Sequence, residues 1–303
     1  MSKHVFCRDL SLERGEPHEG TGNAPQRALL LAWPRGKWRT PRWESIDMSP
    51  ALAKAVHEAA QSGLHVALVD RVGETDALPQ LMAQPESVSA DFASEEALIA
   101  AINDYAAGKV FAGTHDPRTT IVVCTDSRRD ACCARYGFST YKALVEIADP
   151  ARFHIVQATH IGGCRFAASL LVLPHRQRYG RMTAGQTPAF LEALARGQIF
   201  LPAYKGRTDT PEPLQVAELA ALRWAEDNKL ADRVVDLDAT ALPDGSDEAS
   251  PGDVIALSAR IGSRRLDIAL RARSFHIQGN CGVVAENGGT HDIRWCLDRL
   301  EAV

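Results

Sequence analysis

The chain has 303 residues, 45% of them hydrophobic and 24% charged, which is an ordinary composition for a globular protein of two or three domains. Its formal net charge of −4 argues only against nucleic-acid binding through a generally basic surface. No apolar run approaches the length of about 18 residues that a membrane span needs, and the N-terminal segment lacks an apolar secretory core. We therefore expect no membrane contact and a cytoplasmic location.

The first part of the chain alternates strands and helices. Helix boundaries are marked by Pro50 and Gly63 around one helix and by Ser94, a good N-cap residue, at the start of the other. The predicted strands cover 27–34, 65–72 and 109–112, the helices 50–62 and 94–107, and irregular segments 1–25 and 74–93. This order predicts an N-terminal α/β domain over 1–115.

A second unit follows, and its order of elements is that of a thioredoxin-like domain over 116–230. Its predicted strands cover 119–124, 153–158, 168–173 and 178–182, and its helices 130–147, 187–197 and 211–228. Beyond an acidic linker at 241–252 the hydrophobic pattern changes to a period of two, with strands over 253–260 and 265–273 and two strand-like runs flanking Asn287. The sequence therefore predicts an α/β fold that ends in a small antiparallel β-rich subdomain over 231–303.

Seven cysteines are present, and four of them fall between residues 124 and 164: Cys124, Cys132, Cys133 and Cys164. An odd number in a chain of this length argues against a secreted disulfide framework, so the concentration indicates metal binding or thiol chemistry. We expect the remaining three, Cys7, Cys281 and Cys296, to be structural, because free cysteine is often buried.

Two short segments carry the chemistry. One runs from Cys124, at the end of a predicted strand, to Cys132 and Cys133 at the start of a helix, and the other runs from His160 to Cys164 at the end of a second strand. Parallel neighbouring strands would place both segments at one edge, where two pairs of soft ligands suit a [2Fe–2S] cluster. Gly162 and Gly163 would allow close backbone approach and positive φ angles.

Three strings along the chain resemble the sucrase/ferredoxin-like family. They are Cys-Thr-x₄-Asp-x-Cys-Cys-Ala over Cys124–Ala134, Thr-His-Ile-Gly-Gly-x-Arg-Phe-Ala over Thr159–Ala167, and Leu-x-Leu-Pro followed by Tyr-Gly-Arg over Leu171–Arg181. The segment around Glu16–Thr21 and the Lys205-Gly206-Arg207 string are similar to the same family. The resemblance covers about 5–230, and the last 70 or so residues carry none.

That resemblance implies a thioredoxin-like ferredoxin domain with a [2Fe–2S] cluster and mixed cysteine and histidine ligands. Spacing in family members with a single cysteine, three residues beyond Asp130, selects Cys133 over Cys132. Cys164 stands where other members place histidine or aspartate, which implies three cysteines and one histidine. Cys124 and Cys133 would hold one iron, and His160 and Cys164 the other.

These features predict an electron carrier or a ferredoxin-type oxidoreductase. No Gly-x-Gly-x-x-Gly follows a strand, so the electrons must come from a partner, and no paired carboxylates indicate a glycosidase. Two alternatives stay open: a closed zinc site in a non-redox interaction module, and thiol–disulfide chemistry at Cys132 and Cys133. Asp130 suits a helix N-cap, with metal ligation as its other interpretation.

Arginines surround the motif in sequence, on a chain that is acidic as a whole. They are Arg128, Arg129, Arg165, Arg178 and Arg181. One interpretation is a set of scattered, solvated cations. The other, which we adopt as an expectation, is a basic rim that docks an acidic redox partner protein or an anionic substrate.

Overall fold

The computed structural model describes residues 4–23, 26–70, 80–230, 233–239, 242 and 249–303. Over these residues the protein has one large mixed sheet flanked by helices and a separate antiparallel sheet of four strands near the C-terminus. The predicted α/β class with an antiparallel C-terminal unit is confirmed. None of the helices in these ranges is long and apolar enough to cross a membrane.

The large sheet contains ten strands in the described part of the chain. They are β1 (Ala28–Ala32), β2 (His65–Asp70), β3 (Leu81–Gln84), β4 (Val88–Ala90), β5 (Thr114–His115), β6 (Thr119–Cys124), β7 (Phe153–Ala158), β8 (Leu170–Leu173), β9 (Gln177–Tyr179) and β10 (Tyr204–Arg207). Their order across the sheet is β10-β9-β8-β6-β7-β2-β1-β3-β4-β5. Among these described strands, only the β1–β2 and β6–β7 pairs are parallel.

The helices and the second sheet complete the fold. The helices are α1 (Cys7–Glu13), α2 (Pro50–Gln61), α3 (Glu95–Ala106), α4 (Phe138–Ile147), α5 (Thr187–Ala195), α6 (Glu212–Asp227) and α7 (Cys281–Ala285). The second sheet is formed by β11 (Val235–Leu237), β12 (Val254–Ile261), β13 (Arg264–Ile277) and β14 (Thr290–Ala302). Its apolar face packs on α6. Every second residue of β12 is therefore buried, which explains the alternating hydrophobic pattern of this strand.

A short antiparallel contact joins the two halves of the large sheet. Val69 and Asp70 of β2 pair with Ala158 and Gln157 of β7. One sheet therefore continues across the predicted boundary at residue 115, and the three domain ranges stay a prediction. The parallel β6–β7 register pairs Cys124 with Ala158. Cys124 and the segment after Ala158 thus lie at the same edge of the sheet.

The helix after β6 begins irregularly. Residues 133–137 form a π turn that leads directly into α4. Gly137, in this turn, lies against the backbone carbonyl of Cys124, and a Cβ atom there would collide with that oxygen. Glycine is thus required by close approach, since its φ of −64° is ordinary. This contact fixes the turn that carries Cys133 against the strand that carries Cys124.

Several predicted elements were wrong. The N-terminal segment contains α1, the predicted loop at 74–93 contains β3 and β4, and the strand predicted at 109–112 is replaced by β5. The run before Asn287 forms α7 rather than a strand. These elements are two to seven residues long, too short for a periodic pattern to register. β10 and β11 were not predicted, and most of the linker at 241–252 lies outside the described residues.

Candidate metal centre

The structure brings together the four predicted ligands. Cys124 ends β6, Cys133 begins the π turn, and His160 and Cys164 lie in the loop after β7. The donor atoms fall into overlapping groups. Those of Cys124, Cys133 and His160 lie within 4.8 Å of one another, and so do those of Cys133, Cys164 and Asp130. The three thiols are buried, with exposures of 1–3%. His160 is half-buried.

His160 is the ligand nearest the outside. Its Nδ1 atom lies 3.5 Å from the Cys164 sulfur, which fits the expected pairing of these two residues. Its backbone N–H donates to the buried Asp126 carboxylate at 3.2 Å, and the same carboxylate accepts from the backbone N–H groups of Arg128 and Arg129. Asp126 thus ties the loop after β6 to the loop after β7.

Proton sharing within the set lowers the pKa of two thiols. A hydrogen bond with Cys133 is the largest cause of the lowered pKa of Cys124, and it also lowers the pKa of Cys164, to about 7. The pairing with His160 adds to both shifts. Burial lowers the pKa of His160, but its hydrogen bonds to the thiolates of Cys124 and Cys164 outweigh burial and raise it to about 10. Cys124 and Cys164 therefore favour the thiolate, the form that binds metal, whereas hydrogen bonds to these two residues and burial raise the pKa of the Cys133 thiol well above its usual value.

The loop between His160 and Cys164 has the positive φ angles that its two glycines predicted. Gly162 and Gly163 have φ angles of 92° and 75°. A Cβ at Gly163 would lie 3.3 Å from Lys205 Nζ and 3.3 Å from Ser169 Oγ. Substitution at either glycine would be strained by the backbone angle alone.

Two buried cations lie behind this loop. Arg178 and Lys205 are each 2% exposed. Nη2 of Arg178 donates to the carbonyls of Ile161 at 2.8 Å and Gly162 at 3.4 Å, whereas its Nε and Nη1 have no acceptor among the described residues. Burial lowers the pKa of Arg178 to about 10, opposed by the negative charge of Cys124. Burial also lowers the pKa of Lys205, and the neighbouring charge of Arg178 adds to this.

The predicted basic rim needs a correction. Arg178 is buried and points at the loop carbonyls, so it is not a surface residue. Arg165 pairs with the buried Glu16 at 2.7 Å, and Arg181 donates to Ser11 and to the carbonyl of Glu16. Only Arg128 and Arg129 of the five are exposed. Charged residues are exposed only on average. Arg165, Arg178 and Arg181 instead form hydrogen bonds or ion pairs with other groups of the protein.

Cys132 lies apart from the predicted centre. Its sulfur is 3.4 Å from that of Cys7 and 3.4 Å from that of Cys281, two cysteines that we expected to be merely structural. Asp130 acts as the predicted N-cap, because its Oδ1 accepts from the Cys132 N–H at 2.8 Å. No sequence pattern links residues 7, 132 and 281, so their convergence could not be predicted.

The sequence model of the sucrase/ferredoxin-like family matches residues 18–206, more than half of the chain. The chain belongs to the sucrase/ferredoxin-like family. The match includes all four predicted ligands, and it ends before the C-terminal sheet, as the resemblance predicted. Cys7 and Cys281 lie outside the part of the chain that the family model matches.

Two solved structures from Aquifex aeolicus are similar to part of this family member, both described as a thioredoxin-like [2Fe–2S] ferredoxin. The first is 18% identical, with 32% of this chain and 97% of that chain covered and a TM-score of 0.29. The second, the wild-type protein, is 18% identical, with 29% and 97% covered and a TM-score of 0.27. No curated protein matches the chain.

Proposed function

We propose that this protein binds one [2Fe–2S] cluster through Cys124, Cys133, His160 and Cys164 and serves as an electron-transfer protein. The observation that carries the proposal is the convergence of these three thiols and one imidazole at the end of the parallel β6–β7 pair. The donor chemistry fits, because such clusters are held by thiolates that imidazole can partly replace. When bound, the cluster supplies a site for one electron at a time.

The surroundings of the four donors also fit an anionic group. A buried guanidinium whose Nε and Nη1 have no acceptor among the described residues is costly unless negative charge lies nearby. Three thiolates and two sulfides leave such a cluster with net negative charge, which Arg178 and Lys205 would balance from behind the loop. The arrangement holds the donors in place and keeps water from the thiol side of the site.

We infer that electrons enter and leave on the His160 side. A shallow depression there is lined by Thr40, Pro41, Arg42, Trp43, Asp126, Arg129 and His160. The exposed Arg129 lines it and the exposed Arg128 precedes Arg129 in the chain, so an acidic partner protein or an anionic substrate fits this face. The reduced set of two exposed arginines replaces the five-membered rim expected from the sequence.

A spectrum of anaerobically purified full-length protein tests the proposal. We expect visible absorption that dithionite bleaches, with about two irons and two sulfides per chain. Cys124→Ser should lose this absorption and its iron, whereas Cys296→Ser, which alters a cysteine outside both thiol sets, should retain them. A colourless wild-type protein with zinc bound by Cys124 would instead make this a structural zinc site and overturn the electron-transfer proposal.

A further inference from the structure

A second set of donors lies beside the first and uses none of its four residues. Cys7 begins α1, Cys281 begins α7, and Cys132 immediately precedes the π turn; Asp130 lies among their sulfurs. All four residues are buried, and their donor atoms lie within 4.8 Å of one another. The segments that supply them come from both ends and the middle of the chain.

The distances in this set match one tetrahedral metal ion. A zinc ion with Zn–S bonds of about 2.3 Å and a Zn–O bond of about 2.0–2.2 Å places its sulfurs about 3.8 Å apart and its oxygen about 3.5 Å from each sulfur. The sulfur–sulfur distances here are 3.4, 3.4 and 3.7 Å. Oδ1 of Asp130 lies 3.4 Å from the Cys281 sulfur and 3.9 Å from the Cys7 sulfur.

The Asp130 carboxylate lacks a positive partner. It is 4% exposed, and it takes part in none of the ion pairs formed by the described residues. Two backbone N–H groups hold it in place, from Cys132 at 2.8 Å to Oδ1 and from Cys281 at 2.7 Å to Oδ2. A buried carboxylate among thiols is costly without a cation, and these N–H groups orient it as an outer shell orients a metal ligand.

Other chemistries fit this set less well. A disulfide needs sulfurs about 2.05 Å apart and would leave the third thiol and the carboxylate unexplained. An iron–sulfur cluster is held by thiolates, which imidazole replaces in some centres, whereas this set contains a carboxylate. Three thiolates and a carboxylate around one point instead form a closed shell of four ligands, the coordination number typical of structural zinc, and zinc binds both thiolate and carboxylate.

We propose that Cys7, Cys132, Cys281 and Asp130 bind one structural Zn²⁺ ion, separate from the proposed cluster. The ion connects α1, the segment before the π turn, and α7 of the C-terminal unit. Because Cys132 and Cys133 are adjacent, the ion would lie close to the cluster ligands, although it uses none of them.

Metal counts on the full-length protein and its variants test the site. Wild-type protein purified from cells grown with zinc should contain about one Zn²⁺ per chain in addition to its iron. Cys7→Ser and Cys281→Ser should each lose most of the zinc and retain the visible absorption. Cys124→Ser should lose iron and keep zinc, and Cys296→Ser should keep both metals.

The outcomes separate this proposal from the proposed function. Zinc that disappears from Cys124→Ser but persists in Cys7→Ser overturns the site, as does wild-type protein without zinc. Wild-type protein that contains zinc but no iron would overturn the proposed cluster and leave the proposed zinc site intact. If the variants fail to fold, zinc-edge absorption of the wild type decides, because three sulfurs near 2.3 Å and one oxygen are expected and a nitrogen-containing shell contradicts the assignment.

Discussion

Cys132 and Cys133 are adjacent in sequence, yet their sulfurs belong to different donor sets. Cys133 faces Cys124 and Cys164, whereas the Cys132 sulfur lies 3.4 Å from those of Cys7 and Cys281. Consecutive residues in a helical turn point about 100° apart, so one turn can serve two sites. The selection of Cys133, which the family spacing implied, agrees with this placement of the two sulfurs.

We expect Cys133→Ser to lose the visible absorption and nearly all iron, because serine removes a thiolate that the other donors cannot replace. Cys132→Ser should retain the iron and the absorption. Iron and sulfide counts on the two purified variants provide the comparison, and each serves as the control for the other. Equal iron loss in both variants, with both folded by circular dichroism, would contradict the separation of the two sets.

A substitution of the imidazole ligand tests its electronic role. His160→Cys should keep a [2Fe–2S] cluster and lower its midpoint potential by on the order of 100 mV, toward the value of about −400 mV typical of all-cysteine plant-type clusters. The reason is that a thiolate places more negative charge on the iron than a neutral imidazole does. The measurement is a redox titration of both proteins at one pH. An unchanged potential would show that His160 does not bind iron.

The π turn that leads into α4 positions Cys133. It lies against β6, because Gly137 leaves the backbone carbonyl of Cys124 in contact with the turn. π turns are often found at functional sites, where they re-aim a side chain. Here the turn places one thiol of the set beside another that comes from the neighbouring strand.

Gly137→Ala should displace this turn. The added methyl group meets a backbone oxygen that cannot move cheaply, and overpacking of this kind costs about 1–3 kcal/mol of unfolding free energy. We expect a lower thermal midpoint and reduced iron content. Gly185→Ala, at a position where nothing lies within 4 Å of the new Cβ, is the matched control. A Gly137→Ala protein with full iron and wild-type stability would refute the packing argument.

Elements with strong local signals could be predicted from the sequence, and long-range convergence could not. Two buried strands followed by Cys124 and by His160 were recognisable, and the parallel pair then placed both segments at one edge. Cys7 and Cys281 gave no signal, because each is a single cysteine far from any motif and its role depends on tertiary packing. Arg178 was placed on the surface, since charge usually means exposure.

At the scale of the whole molecule, one continuous sheet underlies both halves of the chain, and the proposed zinc ion would tie the C-terminal unit to it. The short β2–β7 contact at Val69 and Asp70 joins the halves, and His65 begins β2 at the other end of the strand. His65 is 6% exposed, and its Nε2 has no hydrogen-bond partner among the described residues. Burial, aided by the charges of Arg42 and Arg178, lowers the pKa of this imidazole to about 3.

This lowered pKa makes the stability of the fold depend on pH. Below the unfolded value of about 6.5 the unfolded chain takes up a proton at His65 that the folded protein does not, so stability falls as the pH falls from 6.5 toward 3. At pH 5.5 the expected loss of unfolding free energy is about 1.4 kcal/mol relative to neutral pH.

Urea unfolding of wild type and His65→Gln at pH 7.5 and 5.5 measures this loss. His65→Gln should lose less stability between the two pH values, while His175→Gln, at an exposed position, should match the wild type. Metal release in acid affects all three proteins alike, so an identical pH dependence in wild type and His65→Gln would show that His65 is not buried in its neutral form.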